Sequence, residues 1–374
     1  MRPEIGMPHL NRRRVLRGVT ASVGALAGSG LGSGAGLAQR SAAGTQAAST
    51  QASAAQALAD PSAVVTPISV SARRLASFSR ASSAKTFGRL EFLGGLVLTS
   101  QATHFGGFSG LVMEPDGRGF IAISDEGHWL SGQLTYDANG VSGMEKTVLG
   151  PIVATSGKSL WRKRDQDCEA VALLEGTLAR GTLLLAFERN HRIGRFPVVD
   201  RKIGVPSGYL KMPSEAKRMA SNRGLEAMTV MAGGPFKSAV IAISERFPGG
   251  ANTHKGWLWI NGEPREFTLT DKNGFEITDV ASLGDGSLLI LERRFRWTEG
   301  VHMQVRLVPA AEVRPGGVLN GELLLEAGMT AEIDNMEALA VHKGPSGETI
   351  LTLMSDDNFN GFLQRTILLQ FKLA

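Results

Sequence analysis

Apolar residues in this chain gather in short runs, and one pair of runs returns five times. The first run of each pair opens at Ser109-Gly110-Leu111-Val112, Glu169-Ala170-Val171-Ala172, Glu226-Ala227-Met228-Thr229, Asp279-Val280-Ala281-Ser282 and Glu337-Ala338-Leu339-Ala340. A turn follows, such as Glu114-Pro115-Asp116-Gly117 or Gly284-Asp285-Gly286, and then a more apolar run. These second runs are Phe120–Ile123, Leu183–Ala186, Val240–Ile243, Leu288–Leu291 and Ile350–Leu353, closed by Asp125, Glu188, Glu245, Glu292 and Asp356. Unbroken apolar runs of this length suit strands buried on both faces. Apart from Pro213 to Ala220, no segment carries an amphipathic helical pattern.

The openings recur about every 53 to 60 residues, near the period of a four-stranded propeller blade. The expectation is an all-β propeller of five four-stranded blades, with a sixth, degenerate blade as the alternative. In the fourth unit, Met303 to Val308 and Gly321 to Leu325 fit the outer strand pair. The fifth unit has only Thr366 to Leu373 before the chain ends. Leu90 to Leu98 can supply its missing outer strand, which would join the two ends of the chain and remove a free sheet edge.

The repeat gathers acids. The start of the first strand and the end of the second share one end of an antiparallel hairpin, and blade symmetry points all hairpins the same way. Three acid-to-acid spacings are identical at 19 residues: 169 to 188, 226 to 245 and 337 to 356. Clustered carboxylates repel unless neutralised. Arg189, Arg246 and Arg293 follow three of the closing acids, and a hard cation such as calcium is the other neutraliser. Asp356-Asp357-Asn358-Phe359-Asn360-Gly361 matches the first half of a calcium loop, although Ile367 stands where an EF-hand would place its glutamate. The competing reading is structural, with the acids bonded to backbone amides or to arginines of neighbouring blades. His128 and His191 lie just beyond closing acids and are candidates for acid–base work.

Composition changes the picture in two places. The net charge of +5 invites a nucleic-acid reading, but residues 1–38 carry four of those five charges. Their Arg12-Arg13-Arg14-Val15-Leu16-Arg17 segment fits a twin-arginine signal, and Gly36-Leu37-Ala38 offers small residues for cleavage. Periplasmic or extracellular export is therefore expected, with no nucleic-acid partner and no stable membrane anchor. Residues 39–86 read as a low-complexity linker and 87–374 as the folded domain. The single cysteine, Cys168, rules out an internal disulfide and reads as a buried small residue. No Gly-x-Ser-x-Gly elbow, Walker A loop, His-Glu-x-x-His or Cys-x-x-Cys occurs.

Six segments together resemble the secreted family named for the esterase-like activity of phytase. They are Phe108-Ser109-Gly110-Leu111, Ile123-Ser124-Asp125-Glu126-Gly127, Asp167-Cys168-Glu169-Ala170, Asn222-Arg223-Gly224-Leu225-Glu226-Ala227, Asp334-Asn335-Met336-Glu337-Ala338 and Ser355-Asp356-Asp357-Asn358-Phe359. The resemblance implies a propeller with an acidic rim, a calcium ion, and hydrolysis of phosphate or carboxylic esters. Propeller phytases are described with six blades, against the five counted here. On the residues, Glu169, Glu226, Asp279, Glu337, Asp356 and Asp125 are the expected metal ligands. Arg189, Arg246 and Arg293 would clamp a small anionic or ester substrate, and Glu188 or His191 would activate water. A non-catalytic binding propeller and a calcium-dependent lactonase are the rival expectations.

Overall fold

The computed structural model describes residues 64–250 and 252–374, so the expected signal segment and most of the expected linker lie outside the described residues. Five sheets, antiparallel except for one short parallel pairing of Val318–Leu319 in the third, each carry one of the predicted hairpins. The innermost strands are Phe108–Met113, Cys168–Gly176, Leu225–Val230, Glu276–Ser282 and Asn335–Lys343. Each packs against the next, and the last packs against the first, so the sheets close into a five-bladed propeller. There is no sixth blade among the described residues.

The apolar runs have a simple cause. Each second strand is sandwiched between blades, so its alternate residues enter different cores. Leu183, Leu185 and Phe187 join the core between blades 1 and 2. Leu184 and Ala186 join the one between blades 2 and 3. Five such clusters occur, one at each blade interface. The strand therefore loses the in–out alternation of a half-exposed sheet and reads apolar throughout.

Closure follows the expected route and adds to it. Thr366–Leu373 pairs antiparallel with Leu90–Thr99 in blade 5. The linker expectation for 39–86 reaches too far, because Ser71–Leu75 adds a further strand to blade 5 and Thr66–Pro67 pairs with the outer strand of blade 1. Ser71–Leu75 carries two adjacent arginines, Arg73 and Arg74, and charged side chains of this kind suit an edge strand. The outer strands of blade 4 are Gly300–Val308 and Glu322–Ala327, as expected. Pro213 to Ala220 holds only a short 3₁₀ turn, Ser214–Arg218, and one further helical turn spans Lys163–Gln166. Among the described residues no helix is long and apolar enough to cross a membrane.

Candidate functional site

One backbone irregularity builds the rim. In every blade the pairing of first and second strands shifts by one residue near the same end. The extra residue is Ser109, Glu169, Glu226, Thr278 or Glu337. A bulge of this kind re-aims a side chain and ends regular pairing, which suits the mouth of a channel. On the second strand, the residue just past the pair that flanks the bulge is Asp125, Glu188, Glu245 or Asp356, and in blade 4 the equivalent position is Arg293.

This register corrects blade 4. Asp279 is not a rim residue. It lies one position deeper, where the other blades carry Gly110, Ala170, Ala227 and Ala338. Its carboxyl accepts the Leu339 amide at 2.7 Å and its own neighbour Val280 at 2.8 Å. Burial pushes its pKa well above the ordinary range, and the amide hydrogen bonds oppose that rise without cancelling it. Asp279 is thus a stitch between inner strands of blades 4 and 5. Glu292 is also displaced from the rim. It is buried against Arg306, whose guanidinium grips both its oxygens, and accepts Gln304 at 2.6 Å. This is a buried, satisfied ion pair of blade 4, not a ligand set.

The remaining acids divide into two groups. On blades 2 and 3, oxygens of Asp167, Glu169 and Glu188 lie within 4.8 Å of one another, as do those of Glu188, Glu226 and Glu245. All five residues are buried, and Glu188 belongs to both sets. On the other side, Asp356 sits near Asp125 and Glu337. Burial, and then the charges of Asp125 and Glu337, push the Asp356 pKa well above its ordinary value. Asp125, Asp356 and Glu337 are therefore not brought into the set that holds Glu169 and Glu226. The calcium-like segment is a turn. Asp356 accepts the Asn358 amide at 2.6 Å, and Asp357 accepts the amides of Gly107 and Phe359, each at 3.1 Å.

Cations sit between the groups. Lys163 contacts Asp125 at 2.8 Å and Asp167 at 2.6 Å. Burial alone would lower its pKa, but Asp125, Asp167 and Glu169 outweigh that and raise it, so it stays charged. The three arginines expected to clamp substrate are engaged with carboxylates. Arg189 bonds Asp167 at 2.5 Å, Arg246 bonds Glu276 at 3.1 Å, and Arg293 meets Glu337 at 3.1 Å. Burial would raise Glu276, yet Arg293, Arg246 and Arg223 together hold it below its ordinary value. Arg189 reaches back only because its backbone is left-handed (φ 58°), a strained state for a residue with a side chain.

His191 stands beside the shared acid. A Cβ placed on Gly224 would come within 2.6 Å of His191 Nδ1 and 3.1 Å of Glu188 Cγ, so glycine here lets the two side chains flank one backbone. The Gly224 amide donates to Glu188 Oε1 at 3.1 Å. Burial lowers the His191 pKa, against hydrogen bonds to the Met219 and Ala220 backbone, so the ring is neutral at neutral pH. His191 Nδ1 makes no hydrogen bond. Arg189 and His191 line a groove of about 840 Å³ that runs past Ser214, Lys217 and Ser221. His128, by contrast, stacks on His104 with ring centres 3.9 Å apart, and burial and then His104 lower its pKa to about 4.

Residues 103–359 match the phytase-like family described by the esterase-like activity of phytase. The chain belongs to this family. The matched span holds every rim residue named above. A comparison with curated proteins gives no match. Among solved structures, the chain is similar to the β-propeller domain of Cps50 (Swd1) from Myceliophteria thermophila. Identity is 9% and the TM-score 0.37, over 82% of this chain and 100% of that one.

Two members of the site escaped the sequence reading. Asp167 precedes Cys168 and was visible only within a family segment, because it lies outside the acid-to-acid spacing. Lys163 lies in a connection with no periodicity, and nothing in its neighbours marks it as reaching two acids.

Proposed function

We propose that this phytase-like propeller is an exported hydrolase of phosphate or carboxylic esters, working at the blade 2 and blade 3 side of its acidic mouth. The observation that carries the reading is the pair of buried carboxylate triads joined at Glu188. A donor set made only of carboxylate oxygens, each within 4.8 Å of the others, fits a hard cation with metal–oxygen distances of about 2.3–2.6 Å. Asp167, Glu169 and Glu188 form one set that would hold calcium, and Glu188, Glu226 and Glu245 form the other. When bound, the ion would supply positive charge that polarises an ester oxygen.

The chain's own groups supply the rest. The groove lies beside the triads through Arg189 and His191, with Lys211 and Lys217 set against Glu215 and Glu263, and Ser214 and Ser221 giving hydrogen-bonding hydroxyls to a substrate. His191 is neutral and lines the groove, where it would accept a proton from a bound water, the role of a general base. Arg189, held by Asp167, fixes the wall between groove and triads rather than clamping substrate. The twin-arginine segment accords with delivery to the periplasm or beyond.

The test is calcium titration by calorimetry of chelator-treated protein, followed by a screen of phosphomonoesters, carboxylic esters and lactones. Saturable calcium binding with turnover of one ester class, both lost in Glu188→Gln, is the expected result. Calcium binding with no turnover in any class would replace the hydrolase with a binding propeller. Absence of both would overturn the reading.

A further inference from the structure

The mouth face differs from the far end of the propeller in what it leaves exposed. Connections that enter a first strand, and those between second and third strands, all open at the acid mouth. Every exposed Trp and Phe among the described residues lies in these connections. Trp161 is 76% exposed, Trp297 81%, and Phe362 94%, with Leu363 beside it at 65%. The far end is closed instead by short polar turns such as Glu114–Gly117 and Gly284–Gly286.

Geometry makes these residues protrude. The second strand of blade 4 continues to Arg296, four residues past the level at which the other second strands end, and pairs with a third strand that begins at Gly300. At about 3.3 Å per residue the hairpin stands roughly 13 Å proud of the rim, with Trp297 at its tip braced against Phe295. Phe362 and Leu363 lie in the equivalent connection of blade 5, and Trp161 in the one that enters blade 2.

Charge accompanies the aromatic residues. Lys158, Arg162, Arg164, Arg218 and Arg296 are exposed in the same connections, and the only exposed acid there is Glu299. Arg162 lies over the Trp161 ring at 4.6 Å. The carboxylates of the triads are buried, so the exposed charge of the outer face is mostly basic although the inner rim is acidic. Protruding aromatic residues among exposed bases are the arrangement that seats a protein in the interface of an anionic bilayer.

We propose that the mouth face of this propeller docks on an anionic lipid surface, with Trp161, Trp297 and Phe362 as interfacial anchors and the surrounding Lys and Arg residues facing the headgroups. This surface is independent of the metal reading, since none of the anchors touches the carboxylate triads.

The experiment is vesicle sedimentation of the full chain with phosphatidylglycerol–phosphatidylethanolamine and with phosphatidylcholine, read together with tryptophan emission. Trp129, Trp257 and Trp259 are buried and no tryptophan precedes Trp129, so an emission change reports on Trp161 and Trp297. Expected are salt-sensitive binding to the anionic vesicles alone and a blue shift. Affinity should fall about tenfold for each of Trp297→Ala and Phe362→Ala, and also for Arg162→Glu. These side chains are exposed, so the melting temperature should not move. Binding without a blue shift would mean that the basic N-terminal segment carries the chain, and overturns the proposal. Equal binding to a soluble polyanion such as polyphosphate, with no preference for vesicles, overturns it as well.

Discussion

Blades 2 and 4 present the same rim backbone and opposite chemistry. Both carry the bulge, and both place a charged side chain on the second strand's side just past the pair that flanks it. In blade 2 those positions are Glu169 and Glu188, buried in a carboxylate set. In blade 4 they are Thr278 and Arg293, and the nearest acids are turned inward, Asp279 to backbone amides and Glu292 to Arg306. A propeller rim is thus one scaffold with interchangeable occupants. Where carboxylates face one another, the fold carries mutual repulsion even though Lys163 and Arg189 bond Asp167 and the Gly224 amide bonds Glu188. Where each acid has its own donor, the same charges hold the blade together. The first arrangement should be sensitive in function, the second in stability.

The largest effect should come from breaking the stable half. Arg306→Ala strands Glu292 in a buried site and should cost about 3–5 kcal/mol in chemical denaturation. Calcium affinity of the fraction that remains folded should be unchanged. Next, Glu188→Gln should weaken calcium at least about 100-fold by calorimetry, while the chelated protein melts no lower than wild type, because a carboxylate among carboxylates has been removed. Glu337→Gln, on the Arg293 side, should leave calcium affinity within about twofold of wild type. Equal losses from Glu188→Gln and Glu337→Gln would make the mouth a single site and dissolve the comparison. Third, Asp279→Ala should cost about 1–3 kcal/mol by leaving the Leu339 and Val280 amides unmet, and Asp279→Asn much less.

The sequence carried the blade count because strand pairs are local and repeat at a fixed period. Closure by Leu90 to Leu98 was legible too, since the fifth unit lacked a strand and the chain offered one upstream. Blade 4 was not legible, for a definite reason. Alignment by acids put Asp279 and Glu292 in the rim, but the bulge falls at Thr278, and a one-residue shift in a strand sends a side chain to the other face. Only the pairing register reveals that shift. Arg189, Arg246 and Arg293 were placed at the mouth by their position after the second strand, yet their partners could not be read. Asp167 and Glu276 precede the bulge, outside the repeat that drew attention. Lys163 reaches two acids from a helical turn of four residues, a contact that spacing does not encode.

The smallest effect sharpens the comparison through protons. Asp356 lies on the side of the mouth opposite the triads, beside Asp125 and Glu337, and burial followed by those two charges raises its pKa well above 3.8. The folded chain therefore keeps a proton that the unfolded chain releases as pH climbs past 3.8. Stability from this group is present in acid, declines as pH rises toward the folded pKa, and is absent above it. Asp356→Asn keeps an acceptor for the Asn358 amide and removes the charge, so it should raise the melting temperature at pH 7 and leave it unchanged near pH 4. His128 runs the other way. Its pKa falls from 6.5 to about 4 on folding, so it withdraws stability as pH drops through that window, and His128→Asn should flatten this acid branch. Measured in chelator, the two variants separate the proton-linked side of the mouth from the metal-linked side. If Asp356→Asn instead changed calcium affinity as strongly as Glu188→Gln, the two sides would be one coupled site.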